Sequence, residues 1–141
     1  MRSILSATMF FTLLLGGAAV AQSATAPKLT LELNRLEQSD NACRATFIVA
    51  NGFTAPLEAF GIEMVVFDAA GLVGLMTVFD FGALAPGKTL VKRFDLPDTG
   101  CPEVTRILVN GVARCKGESI DGAACAAALT TSNRTAIPFG M

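Results

Sequence analysis

Residues 60–81 read FGIEMVVFDAAGLVGLMTVFDF, and this run carries the clearest structural signal in the chain. Its first part, 60–67, is apolar on both alternating faces, which is typical of a strand buried between two neighbours. Residues 68–71 are typical of a hairpin turn, because Gly71 can adopt the positive φ that a tight connection needs. Residues 73–81 then return as a second strand. The run predicts a β-hairpin whose first strand lies centrally in a sheet.

The same alternation continues on both sides of the hairpin, with turn residues about every ten positions. Further strands are predicted at 29–34, 43–49, 89–96, 104–115 and 129–139. Residues 123–129 are rich in alanine and predict a short helical turn. Short strands at this spacing, about seven in all, predict an all-β domain over 29–141, an antiparallel immunoglobulin-like β-sandwich. An open barrel is the alternative.

The amino-terminal segment, 1–21, has the pattern of a secretory signal peptide. It begins with the positive Arg2, continues as an apolar run and ends with small residues around a valine, as signal peptides do. Cleavage is expected between Ala21 and Gln22, which leaves 22–28 as a flexible lead-in. The alternative is an uncleaved anchor, but the run is slightly short for the ~20 apolar residues that a bilayer requires. We therefore expect a periplasmic protein with no stable membrane anchor after cleavage.

Composition excludes several classes of function. The chain has 141 residues, a formal net charge of −1 and no histidine, tryptophan or tyrosine. A near-neutral chain lacks the basic face that nonspecific nucleic-acid binding needs, so no nucleic acid is expected as a partner. Without histidine, the Ser–His and Cys–His couples of nucleophilic catalysis cannot form. One domain of this length still has enough chain to bury a core.

The four cysteines, Cys43, Cys101, Cys115 and Cys125, are predicted to form structural disulfides, since an exported chain with an even count favours pairing. Cys43 begins the second strand, and Cys101 lies in a loop at the same end of the predicted sandwich. Cys115 ends the sixth strand, at the opposite end, and Cys125 follows it. Cys101 and Cys115 would lie roughly 30 Å apart along that strand, too far for a bond that needs Cα atoms within about 7 Å. Pairing Cys43 with Cys115 and Cys101 with Cys125 would join opposite ends twice, so strand geometry predicts Cys43–Cys101 and Cys115–Cys125.

Other chemistry has weaker signals. The close C-x-x-C spacing of zinc sites and thiol–disulfide catalysts is absent from the sequence. Met64 and Met76 are candidate soft ligands for copper, although isolated strand methionines are more often core residues. Asp68, Asp80 and Asp95 are candidate hydrolytic carboxylates, although turn and surface positions explain them better. We predict no catalytic residue, no metal site and no cofactor.

A binding face is the remaining route to function. The alternation predicts an outward-facing set in which apolar and charged residues mix: Ile48, Val65 or Phe67, Arg44, Glu63 and Arg93. The run 88–93 contains three cations on alternating faces, which is typical of a solvated or edge strand.

Several short segments also resemble a known group of proteins. They are Ala42-Cys43-Arg44, Val66-Phe67-Asp68 with Gly71 following, Leu84-Ala85-Pro86-Gly87-Lys88, Arg93-Phe94-Asp95 and Arg106-Ile107-Leu108-Val109-Asn110, together with the four cysteines. With them, the chain resembles small exported proteins of alphaproteobacteria, uncharacterised as a group and often labelled Tat pathway signal sequence domain or hypothetical protein. Its turns also look like those of bacterial immunoglobulin-like modules. Arg2 stands alone here, so the resemblance does not extend to a twin-arginine signal.

These observations lead to a functional prediction. The chain is expected to be an exported, non-catalytic binding or assembly module, stabilised by two disulfides, with an envelope or periplasmic protein as partner. The alternative is a small periplasmic copper carrier or a carboxylate-based hydrolase. A structural envelope protein with no specific ligand is the third option.

Overall fold

A computed structural model describes residues 25–26 and 28–141 of the chain. The predicted signal peptide, 1–21, lies outside the described residues, as does much of the predicted lead-in, 22–28. The described chain forms eight strands, the short helix α1 (Gly122–Ala128) and a 3-10 turn (Cys101–Glu103). The strands are β1 (Leu29–Ser39), β2 (Ala42–Asn51), β3 (Leu57–Phe67), β4 (Val73–Leu84), β5 (Thr89–Leu96), β6 (Arg106–Gly117), β7 (Leu129–Asn133) and β8 (Phe139–Gly140).

The strands form two packed sheets of four, so the predicted all-β sandwich is confirmed. One sheet has the order β5-β2-β1-β7, and the other has the order β4-β3-β6-β8. The sheets are mixed, because β7 runs parallel to β1 and β8 runs parallel to β6. Both parallel pairs involve residues 129–139, which the sequence predicted as a single strand. The chain instead leaves one sheet after Asn133 and joins the other at Phe139.

The core lies between the two sheets and follows the predicted alternation. On β2, the residues Cys43, Ala45, Phe47 and Val49 are all fully buried. The Phe47 ring lies near the centre of an aromatic cluster, with ring centroids 5.6 to 6.1 Å away on Phe79, Phe81, Phe94 and Phe139. Burying one such side chain contributes about 1.5–3 kcal/mol, so this cluster supplies much of the attraction between the sheets.

The strand β3 is central, as its apolar faces predicted, because it pairs with β4 on one side and β6 on the other. The β3–β4 hairpin has Gly71 at φ +75°. The carboxylate of Asp68 stabilises this turn by accepting hydrogen bonds from the amides of Ala70 and Leu72, both at 2.9 Å. The end of the sandwich that carries this turn is called the hairpin end below.

Two disulfides join Cys43 to Cys101 and Cys115 to Cys125, the same pairs that strand geometry selected. The Cys43–Cys101 bridge lies at the hairpin end, where the Thr105 amide donates to the Phe67 carbonyl. The Cys115–Cys125 bridge lies toward the opposite end and ties α1 to β6. Among the described residues, no helix has the length and apolar character to cross a membrane.

Asn51 is the buried polar side chain that organises the end opposite the hairpin. Its amide nitrogen donates to the carbonyls of Leu84 and Ala85, at 3.0 and 3.3 Å, and its side-chain oxygen accepts from the Phe53 amide. The next residue, Gly52, donates its own amide to the Lys28 carbonyl at 2.8 Å. The β2–β3 loop is thereby fastened to the start of the β4–β5 turn, and this contact positions the two edge strands β4 and β5.

Candidate binding edge

The first half of β4, with Leu72 just before it, is the most exposed apolar stretch of the described chain. We call residues 72–78, LVGLMTV, the edge segment. Leu72, Val73, Met76 and Val78 are 65%, 59%, 58% and 39% exposed. The segment contains no charge and no proline, the two features by which proteins usually protect a sheet edge. Its exposure therefore needs a functional explanation.

The topology explains why this stretch is accessible. The strand β4 is the edge of its sheet, and β5 is the edge of the facing sheet on the same side of the sandwich. Between them runs a groove with a cavity of about 250 Å³, lined by residues of both strands, including Leu75, Phe79 and Phe94. Leu75, Thr77 and Phe79 form the inward-facing row of β4 and line this groove together with Val78, whereas Met76 lies outside it in the outward-facing row. An extended segment added to β4 would contact both rows.

A second cavity, of about 410 Å³, lies at the hairpin end of the same groove. Leu75 lines both cavities, and Gly74 joins it in the second. This cavity also carries three carboxylates, those of Asp68, Asp98 and Glu103. The hairpin end of the groove is therefore acidic.

The second half of β4 is protected. The ammonium group of Lys92, on β5, donates to the Asp80 carbonyl at 2.6 Å. The Asp80 carboxylate accepts from the Gly82 amide at 2.9 Å and from Arg114, and these contacts, with the Gly82 bond the largest, hold its pKa below the usual range. Gly82 itself has φ +76°. Charge and irregular backbone thus close the edge after Val78 and leave the edge segment open.

The structure places the two methionines that were weighed as copper ligands on opposite faces of one sheet. Met64 is fully buried in the core, as expected of a strand methionine. Met76 is on the outer face and is 58% exposed, so the interpretation of Met76 as core filler was wrong. Sequence alternation cannot distinguish the two, because an outward-facing apolar residue on β4 resembles an inward-facing one on β3. Since they lie on opposite faces of the sheet, the two sulfur atoms do not form one site.

The three candidate carboxylates each have a different partner. Asp68 stabilises the β3–β4 turn, Asp80 pairs with Arg114, and Asp95 pairs with Arg44 at 2.7 Å. The hydrogen bond from Arg44 is the main reason why the pKa of Asp95 lies below its usual value. The interpretation of Asp68 and Asp95 as turn and surface acids is confirmed. Within the described residues, no group of three or more metal-ligating side chains comes together.

The predicted outward-facing set is divided between the two sheets. Arg44, Ile48 and Arg93 lie on the sheet of β2 and β5, whereas Val65, Phe67 and Glu63 lie on β3. Val65 faces outward but is only 5% exposed, because its neighbours in the sheet register are Met76 and Leu108. In the run 88–93, residues 89–93 do belong to an edge strand, β5, and Lys88 directly precedes it. The most exposed apolar residues, on β4, were not part of the predicted face.

No protein-family model matches this chain, and no curated protein or solved structure matches it. The function of the edge segment and its groove is therefore inferred from their exposure, charge and backbone hydrogen-bonding groups. A free strand edge beside an apolar groove is suited to binding extended polypeptide, since backbone groups supply hydrogen bonds and the groove takes alternate side chains.

Proposed function

We propose that the protein is an exported, non-catalytic binding or assembly module that takes up an extended polypeptide segment along the free edge of β4. The observation that carries this proposal is the uncharged edge segment, exposed beside an apolar groove at one open edge of the sandwich. Added strands gain affinity from main-chain hydrogen bonds and specificity from alternate side chains. The partner is expected to be an envelope or periplasmic protein.

Export is supported by two features. The segment 1–21 has the pattern of a signal peptide. The domain also contains two disulfides, which persist in oxidising compartments and are rare in the cytosol. Membership of the exported alphaproteobacterial group is part of the same proposal.

We also propose that the sandwich is immunoglobulin-like. The pairing of β2 with β5 and of β3 with β6 joins strands that are not consecutive in the chain, as in Greek-key sandwiches. In such modules, exposed edges and end loops carry binding functions while the sandwich supplies rigidity.

The copper carrier and carboxylate hydrolase are less well supported alternatives. A soft-metal site needs two or more ligands within about 2–3 Å of one ion, and the methionines face opposite sides of β3 and β4. A hydrolytic pair needs two carboxylates across a cleft, whereas Asp80 and Asp95 are engaged with separate arginines. Metal analysis of the native protein tests the first alternative directly, and one bound equivalent of copper would favour it.

Site-specific photo-crosslinking tests the proposed function. A photoreactive phenylalanine derivative replaces Met76 in the full chain, and in a matched variant it replaces Val91, which is 59% exposed on the other edge strand. We expect a crosslinked polypeptide from position 76 and none from position 91. Absence of any product from position 76, or equal products from both positions, would count against the proposal.

A further inference from the structure

The groove beside the edge segment is charged differently along its length. At the level of Gly74 and Leu75 it carries Asp98 and Glu103. Farther along β4, beyond Phe79, the ammonium group of Lys92 lies at the Asp80 carbonyl, and the Asp80 carboxylate is paired with Arg114. The uncharged edge segment lies between these groups, and Asp95, which also lines the groove beside it, is paired with Arg44. An extended partner that matches this groove is apolar in the middle, basic toward the hairpin end and acidic toward Asp80.

A second copy of the same β4 edge, running in the opposite direction, presents this order of basic, apolar and acidic groups. A two-fold axis near Met76 pairs the edge segment antiparallel with its own copy, and places Gly74 of one molecule opposite Val78 of the other. Asp98 and Glu103 of each molecule then lie at about the level of Lys92 of the other, because Val78 and Asp80 are two residues apart. A parallel pairing would instead place acids beside acids. The edge is therefore self-complementary only in the antiparallel direction.

We propose that the segment occupying the β4 edge is β4 of a second copy of this chain. This inference rests on the proposed function and names its partner. The two molecules form an isologous dimer in which their sheets join into one continuous sheet across the axis. Outward-facing Met76 and Val78 of both copies form one apolar strip, and Leu75 of each copy closes the groove. No charged residue lies within the paired edge segments, so like charges are not placed opposite each other.

Charge substitution at the axis tests this dimer. Met76→Lys and Met76→Glu each place like charges opposite one another, and we expect each variant to be monomeric in sedimentation equilibrium while the natural chain is dimeric. The dissociation constant should rise by roughly tenfold or more, because like charges face each other at the axis and the apolar contacts of both Met76 side chains are lost. An equimolar mixture of the two variants should recover a dimer. Val91→Lys, at an equally exposed position on β5, should leave the dimer unchanged.

The result that overturns the inference is a natural chain that stays monomeric at its highest soluble concentration. A dimer that survives both Met76 substitutions would also overturn it, because the interface would then lie elsewhere. These outcomes differ from failure of the proposed function. If the chain is monomeric but position 76 crosslinks to a different protein, the binding edge stands and only the second copy is wrong. If position 76 crosslinks to nothing, both proposals fail.

Discussion

At the scale of single residues, Asn51 makes the most consequential polar contacts in the core. Its amide connects to the Leu84 carbonyl, 33 positions along the chain, so a loop and a distant strand end share one side chain. In buried amides of this kind, both the oxygen and the nitrogen atom are hydrogen-bonded. Removing such a side chain leaves several backbone groups without hydrogen-bond partners. The sequence did not predict a structural role for Asn51, because an Asn-Gly dipeptide is typical of an ordinary turn.

We expect Asn51→Ala to lower the free energy of unfolding by about 1–3 kcal/mol, since the Leu84 and Phe53 backbone groups lose their partner. Urea denaturation followed by circular dichroism measures the change. Asn41→Ala is the matched control, because Asn41 is exposed in the β1–β2 turn, and its effect should be small. Equal effects of the two substitutions would show that the Asn51 contacts contribute little.

The Arg44–Asp95 ion pair makes the stability of the fold depend on pH in the acidic range. Because the pKa of Asp95 is lowered in the folded chain, chiefly by the hydrogen bond from Arg44, ionisation of this group favours folding above its unfolded pKa. This stabilisation is lost as the pH falls below about 4, through the folded-state pKa. Asp95→Asn should flatten the acid side of the stability profile, measured as urea midpoints against pH. Glu118→Gln, at an exposed loop position, is the control and should leave the profile unchanged.

At the scale of elements, β4 is two half-strands with opposite properties. The half near Asp80 is closed by Lys92 and by the irregular pairing at Gly82, which has a positive φ, while the edge segment is open. Edge protection by lysine is a common defence against unwanted strand pairing. The strand β4 thus has an open part and a protected part. The protected part begins where Lys92, from the facing sheet, contacts Asp80.

Lys92→Ala should extend the open edge beyond Val78, because the Asp80 carbonyl loses its donor. We expect faster aggregation on heating, followed by light scattering at constant concentration. Lys88→Ala removes an exposed lysine from the preceding turn and serves as the control for the change in net charge. Aggregation at the same rate in both variants would mean that Lys92 does not protect the edge.

Individual elements were predictable where burial alternates. The leucines of β1 and the fully buried residues of β2 follow a two-residue period, which directly reflects one solvated and one covered face. The status of β4 as an edge was not predictable, because strand order depends on partners far along the chain. Met76 shows the consequence: its residue type suggests the core, and only the sheet order shows that it is exposed. The candidate site was missed for the same reason.

At the scale of the whole molecule, two covalent links hold the sandwich toward opposite ends. The location of the two disulfides at opposite ends was predictable from the sequence, because most of one strand separates Cys101 from Cys115. The bridges differ in the chain length they enclose, with sequence separations of 58 and 10 residues. Longer loops lose more conformational freedom on crosslinking, so the first bridge restricts the unfolded chain more strongly.

Removing the Cys43–Cys101 bridge by paired alanine substitutions should therefore cost more stability than removing Cys115–Cys125. The chain-entropy relation gives about 4 kcal/mol for the longer loop and about 3 kcal/mol for the shorter one. Urea denaturation of the two double variants at one pH compares them, and each variant serves as the other's control. A larger loss from the shorter loop would show that packing around α1 outweighs loop entropy.

The dipeptide Asn51-Gly52 has one further consequence. Asparagine followed by glycine is the pair most prone to lose ammonia through a cyclic imide, formed when the glycine nitrogen attacks the side-chain carbonyl carbon. In the folded protein that nitrogen donates a hydrogen bond to the Lys28 carbonyl, and the Asn51 side chain is hydrogen-bonded through both its nitrogen and its oxygen. Both are released only when this end of the domain opens. Deamidation at this position is then slow, and the fraction of isoaspartate in an aged sample reports how long its molecules have spent with this end of the domain open.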